Sequence, residues 1–348
     1  MYNPENPHVA DEFYFIHAKQ AFDEKIFSVI HRGNVVVATF IGVLSTTLLL
    51  YLIIATTPKQ FREFSKLLIV CCFVDYYYLF SLYLFNARTK VEDSVTLLSF
   101  RGPIKSFSHQ IQCHAYILRS TSPIAAVVTL PVLFYARLYS IKYKVSPSNM
   151  QIISYIGLAI AAVSVTAILT PFVYCQPYNG INYGALWYPE PRIPHLLVSD
   201  PERNIFALIT AFYSRIVMYS SYLLSIYFAY ATVKELQRNR ADFSPKTVAL
   251  HSQFTFMLFF QLLLPLLIIL PNILFAVLLY ADVEFDYSAD LLVLPIAWCP
   301  ATNAISTIFL IHPYKNAAKR LFFKIDSPDS AHPSSVHQDS RNLAVRVI

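Results

Sequence analysis

Three charged side chains stand inside long apolar stretches of this sequence: Asp75, Arg119 and Arg215. A guanidinium grips a carboxylate through two parallel hydrogen bonds, so these residues can either recognise an anion or pair with one another. A charge placed in hydrocarbon costs about 2.5–3.5 kcal/mol on insertion scales, which turns all three toward the interior of whatever bundle carries them. Two arrangements satisfy them. In one, Asp75 pairs with Arg119, and Arg215 is met by tyrosines or loop carbonyls. In the other, two cations against one anion leave an arginine for a small anionic ligand such as a carboxylate. Arg119 and Arg215 are therefore ligand-binding candidates, with His114, Tyr116 and Thr121 beside Arg119 on the same stretch. Catalysis has no comparable signal: there is no HExxH, GxSxG or P-loop, and no cofactor is expected. His109, Cys113 and His114 cluster, but such a group at an interface is more often incidental, and no metal site is expected.

The elements that must position these residues are membrane helices. The chain has 348 residues, 56% hydrophobic and 14% charged, with mean hydropathy +0.47. A soluble domain is nearer a quarter charged, so neither a soluble globule nor a nucleic-acid partner is expected. Seven apolar segments are long enough to span: Gly33 to Thr56, Leu67 to Ala87, Ile111 to Phe134, Gln151 to Tyr174, Ile205 to Ala231, Phe254 to Tyr280 and Leu291 to Ile311. Their length and lack of strict alternation make them helices, not barrel strands. The expected fold is an all-α seven-transmembrane bundle at residues 33–312. It follows an extracellular segment at 1–32 that carries no visible cleavable signal. The third span, Cys113 to Arg137, is the central one. Arg119 falls about 9 Å below Cys113, and Arg215 about 15 Å below the start of span five. Cys113 and Cys175 lie at the same outer level, where a disulfide would pin the loop after span four over the bundle mouth; two free thiols are the alternative. That loop, rich in Tyr and Pro, could form part of a lid.

Lys and Arg set the orientation. They crowd the connections after spans one, three, five and seven, while ADVEFDYSAD before span seven has acids and no base. The N-terminus is therefore expected outside, although Arg88 to Lys105 runs against the rule. In span six Pro265 removes the amide that would bond the Gln261 carbonyl, and Pro271 does the same for Leu267; Pro300 frees Ile296 in span seven. Gln261, Pro265, Pro271 and Pro300 are the hinge candidates. After span seven, Tyr314, Ala317, Ala318, Leu321 and Phe322 share a helical face and Lys315, Lys319, Arg320 and Lys324 lie elsewhere, predicting an amphipathic helix at 313–325 resting on lipid. A disordered tail at 326–348 is expected beyond it.

Several stretches carry a family likeness. The pattern S-x-x-T-x-x-L-H-x-Q with Gln261, Pro265 and Pro271, TPKQFREFSKLL (Thr57 to Leu68), and ISTIFLIHPYK (Ile305 to Lys315) together resemble the nematode serpentine chemoreceptors of the Str superfamily, closest to the Srh type. The resemblance implies a chemosensory receptor for a small odorant or soluble cue, in the plasma membrane of a sensory-neuron cilium, coupled to a heterotrimeric G protein. By the same likeness Arg137 is similar to the cytoplasmic arginine of rhodopsin-like receptors and Asp75 to their buried acid. Arg137, Lys142, Lys234 and Arg238 are then the coupling candidates. Ala136 replaces the usual acid before the arginine, and Pro300-Ala-Thr-Asn303 departs from NPxxY, so the rhodopsin-like activation mechanism does not carry over residue by residue. A ligand-gated channel of inverted topology, of the insect odorant-receptor kind, and a transporter are the other classes.

Overall fold

In a computed structural model of the chain, the described residues are 7–57, 62–92, 95–145, 147–176, 196–238, 255–257, 259–280 and 294–323. The helices are α1 (Pro7–Thr56), α2 (Arg62–Phe85), α3 (His109–Tyr143), α4 (Asn149–Tyr174), α5 (Ile205–Arg238), α6 (Leu266–Tyr280), α7 (Cys299–Leu310) and α8 (His312–Phe323). Three short strands accompany them: β1 (Ala87–Glu92), β2 (Val95–Phe100) and β3 (Leu196–Ser199). The opening segment is helical from Pro7 onward and runs without a break into the first span. Most of the loop after α4, the third basic loop and the tail at 326–348 lie outside the described residues.

Among the described residues, five helices are long and apolar enough to cross a membrane: Val29–Thr56 of α1, Ser65–Phe85 of α2, and α3, α4 and α5. Their exposed faces are apolar. Leu158, Ile160 and Ile168 on α4, and Ile216 and Leu223 on α5, are all more than half exposed. Water would not tolerate so continuous an apolar face, whereas lipid requires one. α3 is the centre of the bundle, packing against α2, α4 and α5, while α1 packs against α2, α7 and α8. Hydroxyls join the helices where apolar packing alone gives little specificity. Tyr77 meets Thr121 at 2.6 Å, Ser81 meets Ser122 at 2.7 Å, and Ser120 meets Thr170 at 2.9 Å. Tyr213 donates from α5 to the Ala162 carbonyl of α4 at 2.9 Å.

The sixth span breaks where its sequence removes a donor. Residues 261–263 are helical, Leu264 and Pro265 form a turn, and α6 resumes at Leu266. Neighbours take up carbonyls around the break: the Tyr222 hydroxyl donates to Leu262 O at 3.1 Å, and the Cys299 thiol donates to Leu264 O at 3.8 Å. Non-helical backbone survives in a bilayer only when other protein groups satisfy it in this way. The seventh span likewise enters through a 3-10 turn, Pro295–Trp298, before α7 begins with Pro300 in its first turn. Asn34 of α1 fixes that entry, donating to Leu294 O at 3.1 Å and accepting from Trp298 Nε1 at 2.9 Å.

One end of the bundle carries a small sheet in the order β1-β2-β3, antiparallel throughout, with Leu98 opposite both Thr89 and Leu197. Asn86, at φ 38°, turns the chain out of α2 into β1, a conformation asparagine adopts more readily than most residues. Gly102 returns it beneath the carbonyls of Tyr83 and Leu84. Cys113 at the head of α3 and Cys175 after α4 are joined by a disulfide with Cα atoms 5.3 Å apart. Phe85, Phe100, Tyr116 and Tyr174 pack edge to face and tilted around it at centroid distances of 4.7–5.8 Å. The opposite end holds Arg137 and α8. There Tyr314 is buried, with its hydroxyl 2.9 Å from Thr57 Oγ1, while Leu321 and Phe322 are exposed as a lipid contact would leave them.

Candidate functional site

Helical spacing on three helices builds a cavity of about 290 Å³ at the disulfide end. From α3 come Tyr116, Arg119, Ser120 and Pro123, at i, i+3, i+4 and i+7; from α5 come Ala207, Thr210, Ala211, Ser214, Arg215 and Met218 on a single stripe. α4 contributes Thr166, Thr170, Val173 and Tyr174. Thr89, Thr96, Leu98 and Ser199 of the sheet also line it, so the sheet forms its roof. Arg119 and Arg215, separated by 96 positions of sequence, thus share one cavity, and no carboxylate is among its described lining residues.

Asp75 does not pair with Arg119. Its carboxylate accepts from Asn303 Nδ2 at 2.8 Å, Asn303 Oδ1 accepts from Gln261 Nε2 at 2.8 Å, and the same Nε2 lies 3.4 Å from Thr307 Oγ1. This chain ties α2 to α7 and to the helical turn just before the Pro265 break. It lines a separate cavity of about 60 Å³ that also touches Pro265 and Pro300. Tyr78 lines both cavities. The Arg119 guanidinium lies 5.9 Å from the Tyr78 ring centroid, a cation–π distance, and the Tyr78 hydroxyl is 3.5 Å from Ile296 O, the carbonyl that Pro300 leaves without its helical donor.

Of the remaining ligand candidates, Tyr116 lines the larger cavity, but His114 and Thr121 do not. Successive helical residues turn by about 100°, so with Cys113 facing inward His114 is exposed. Thr121 is buried against α2, its hydroxyl spent on Tyr77 and on Ile117 O at 2.6 Å each. His114 also lies beside Cys113 and Cys175, but their sulfurs are bonded to one another and offer no thiolates to a metal. Among the hinge candidates, Pro271 sits inside α6 and lines the larger cavity. Of the coupling candidates, Lys142, Lys234 and Arg238 are exposed, whereas Arg137 is buried. Sequence reasoning missed Tyr78, Ser120, Ser214 and the α4 threonines; the i, i+3, i+4 repeats around Arg119 and Arg215 carried the signal for two of the three walls.

A lipid-facing helical bundle centred on α3, with a cavity at its disulfide end, has the architecture of the G-protein-coupled receptor fold. Squid rhodopsin superimposes with a TM-score of 0.57 at 13% sequence identity, over 85% of this chain and 86% of that one, a likeness of fold alone. No curated protein matches in sequence. The model of the serpentine-type seven-transmembrane chemoreceptor family Srd matches residues 33–320, and the chain belongs to that family. It is thus a nematode-type serpentine chemoreceptor, and the type is Srd where the span-six motifs had suggested Srh. Those motifs are loose, and S-x-x-T-x-x-L-H-x-Q, at 244–253 and outside the described residues, distinguishes subfamilies less firmly than a match over residues 33–320.

Proposed function

We propose that this receptor binds its small-molecule cue in the cavity framed by α3, α4 and α5, and reports occupancy to a heterotrimeric G protein at the opposite end of the bundle. The observation that carries this reading is the 290 Å³ polar cavity under the sheet, with Arg119 and Arg215 in its wall. It is close to the lower end of small-ligand pockets, about 300–1,000 Å³. The basic connections favour an N-terminus outside, which turns the cavity toward the exterior and the exposed Lys142, Lys234 and Arg238 toward the cytoplasm. A ligand that binds one bundle packing better shifts the population toward it, and the broken sixth and seventh spans are the parts built to repack. Arg137, buried in this packing, would join the coupling surface in the other. The family likeness adds a plasma-membrane location in a sensory-neuron cilium.

The test is expression of the full chain, with an N-terminal epitope and a G-protein reporter, against a panel of small odorants and soluble metabolites. Staining of intact cells and a ligand-dependent signal that Ser214→Phe abolishes at undiminished surface level are expected. An epitope reached only after permeabilisation, or a current without G-protein activation, would overturn the reading in favour of an inverted channel.

A further inference from the structure

We infer that the cue is a small organic anion: a carboxylate of up to about ten non-hydrogen atoms, with an apolar body, whose charge is shared by Arg119 and Arg215. This rests on the cavity being the ligand site. Most hydroxyls in the wall are already satisfied. Ser120 bonds Ile117 O and Thr170, Thr170 bonds Thr166 O, and Ser214 bonds Ala211 O, at 2.7–3.1 Å. A serine or threonine can return its proton to the preceding turn of its own helix, but a guanidinium in mid-span cannot. Arg215 Nη1 is buried without a hydrogen-bond partner in the protein, as are Thr166 Oγ1 and Thr210 Oγ1, and all three residues line this cavity. Native proteins rarely leave buried donors unmet, so three around one cavity, one from α4 and two from α5, mark where a ligand's acceptors belong.

Charge then selects among acceptors. Two acids are engaged elsewhere: Asp75 with Asn303, and Asp200, beside the lining residue Pro201, with the amides of Glu202 and Arg203 and, at 3.6 Å, the Arg203 side chain. A cationic ligand would meet two like charges in a low-dielectric space, and a neutral one would leave uncompensated the charge of Arg215, whose Nη1 has no partner in the protein. Size follows from the volume. At about 30 Å³ per water-sized group, 290 Å³ admits about ten such groups. Ile124, Val173, Met218 and Ile268 supply apolar wall for the remainder of the molecule.

The experiment follows the thermal unfolding of the purified full-length receptor at fixed ionic strength. The probes are hexanoate and benzoate, the isosteric hexanamide and benzamide, and hexylamine as a cationic control. Saturable stabilisation by the acids alone is expected. Arg119→Gln or Arg215→Gln should weaken acid binding about ten- to a hundredfold, the loss of one charge-assisted bond pair, with Arg→Lys intermediate. Equal stabilisation by acid and isostere, acid binding undiminished in the double Gln variant, or no acid-dependent shift in the wild type overturns the inference. The acid–isostere comparison needs no variant, so a misfolded mutant does not obscure it. Ser214→Phe, which fills the cavity, separates the two levels. If neutral probes bind and this variant abolishes their binding, the cavity reading stands and only the anionic class fails; if bound probes ignore it, the cavity reading itself fails.

Discussion

The Asp75–Asn303 contact makes a quantitative claim. Asp75 is 8% exposed, and the bond from Asn303 Nδ2 at 2.8 Å is its hydrogen bond in the structure. Replacing Asn303 by Leu removes that donor from a buried carboxyl group. A buried acceptor left unmet costs about 1–3 kcal/mol and the lost Gln261–Asn303 bond about 1 kcal/mol more, so a loss of about 3 kcal/mol is expected. In an Asp75→Leu background the acceptor is already gone and only the Gln261 bond is lost, worth about 1 kcal/mol. The double-mutant cycle should therefore return a coupling of about 2 kcal/mol. The protein supplies its own reporter: Cys72 and Cys299 are free thiols buried in the spans, and a thiol-reactive dye reads their exposure as the solubilised receptor unfolds. At roughly 2–4 °C per kcal/mol, Asn303→Leu should lower the midpoint by about 6–12 °C alone and by no more than about 4 °C with Asp75→Leu. Equal losses in the two backgrounds would mean that Asp75 does not depend on Asn303, and the network argument would be refuted.

Three further outcomes follow from named contacts. Cys113→Ala opens a loop of 62 residues and should cost about 4 kcal/mol by the chain-entropy relation, seen as lost surface expression and a lower unfolding midpoint. Gly102→Ala would set a Cβ 2.7 Å from the Tyr83 carbonyl oxygen and against that of Leu84, so about 1–3 kcal/mol of destabilisation is expected by the same dye assay. Tyr314→Phe removes the Thr57 bond for about 1 kcal/mol and changes alkaline behaviour: burial raises this phenol, so its contribution is full below about pH 10 and lost as pH climbs through the raised value, a loss the Phe variant should not show in a pH series of unfolding midpoints.

Hydropathy and span length made the helices legible, because lipid imposes the same demand on every span whatever its neighbours. The sheet was not legible. β2, VTLLSF, is buried at four of its six positions, which erases the alternation that marks a one-sided strand and leaves a short apolar run that could be helix or strand. β3 has four residues and pairs only through a partner a hundred positions away in sequence. The break in span six was readable because proline removes its donor locally, whatever surrounds it. The partners that repair it, Tyr222 and Cys299, were not, since they belong to other helices.

The site divides along the same line. That Arg119 and Arg215 must face inward follows from the cost of a charge in hydrocarbon, a one-dimensional argument. That Asp75 answers Asn303 instead of Arg119 depends on how α2 and α7 are rotated against each other, which periodicity does not fix. The consequence is larger than one hydrogen bond. If Asp75 paired with Arg119, the bundle would hold one spare cation next to a neutralised pair. With Asp75 committed to the network at α7, both guanidiniums belong to the upper cavity, and Tyr78 is the residue that touches both arrangements. An anion drawing Arg119 away from the Tyr78 ring would change what Tyr78 and the freed Ile296 carbonyl at the entry to α7 contribute to each packing. A ligand can shift the bundle only through such a difference in contacts between the two states, and Tyr78 offers one from the cavity to the broken seventh span.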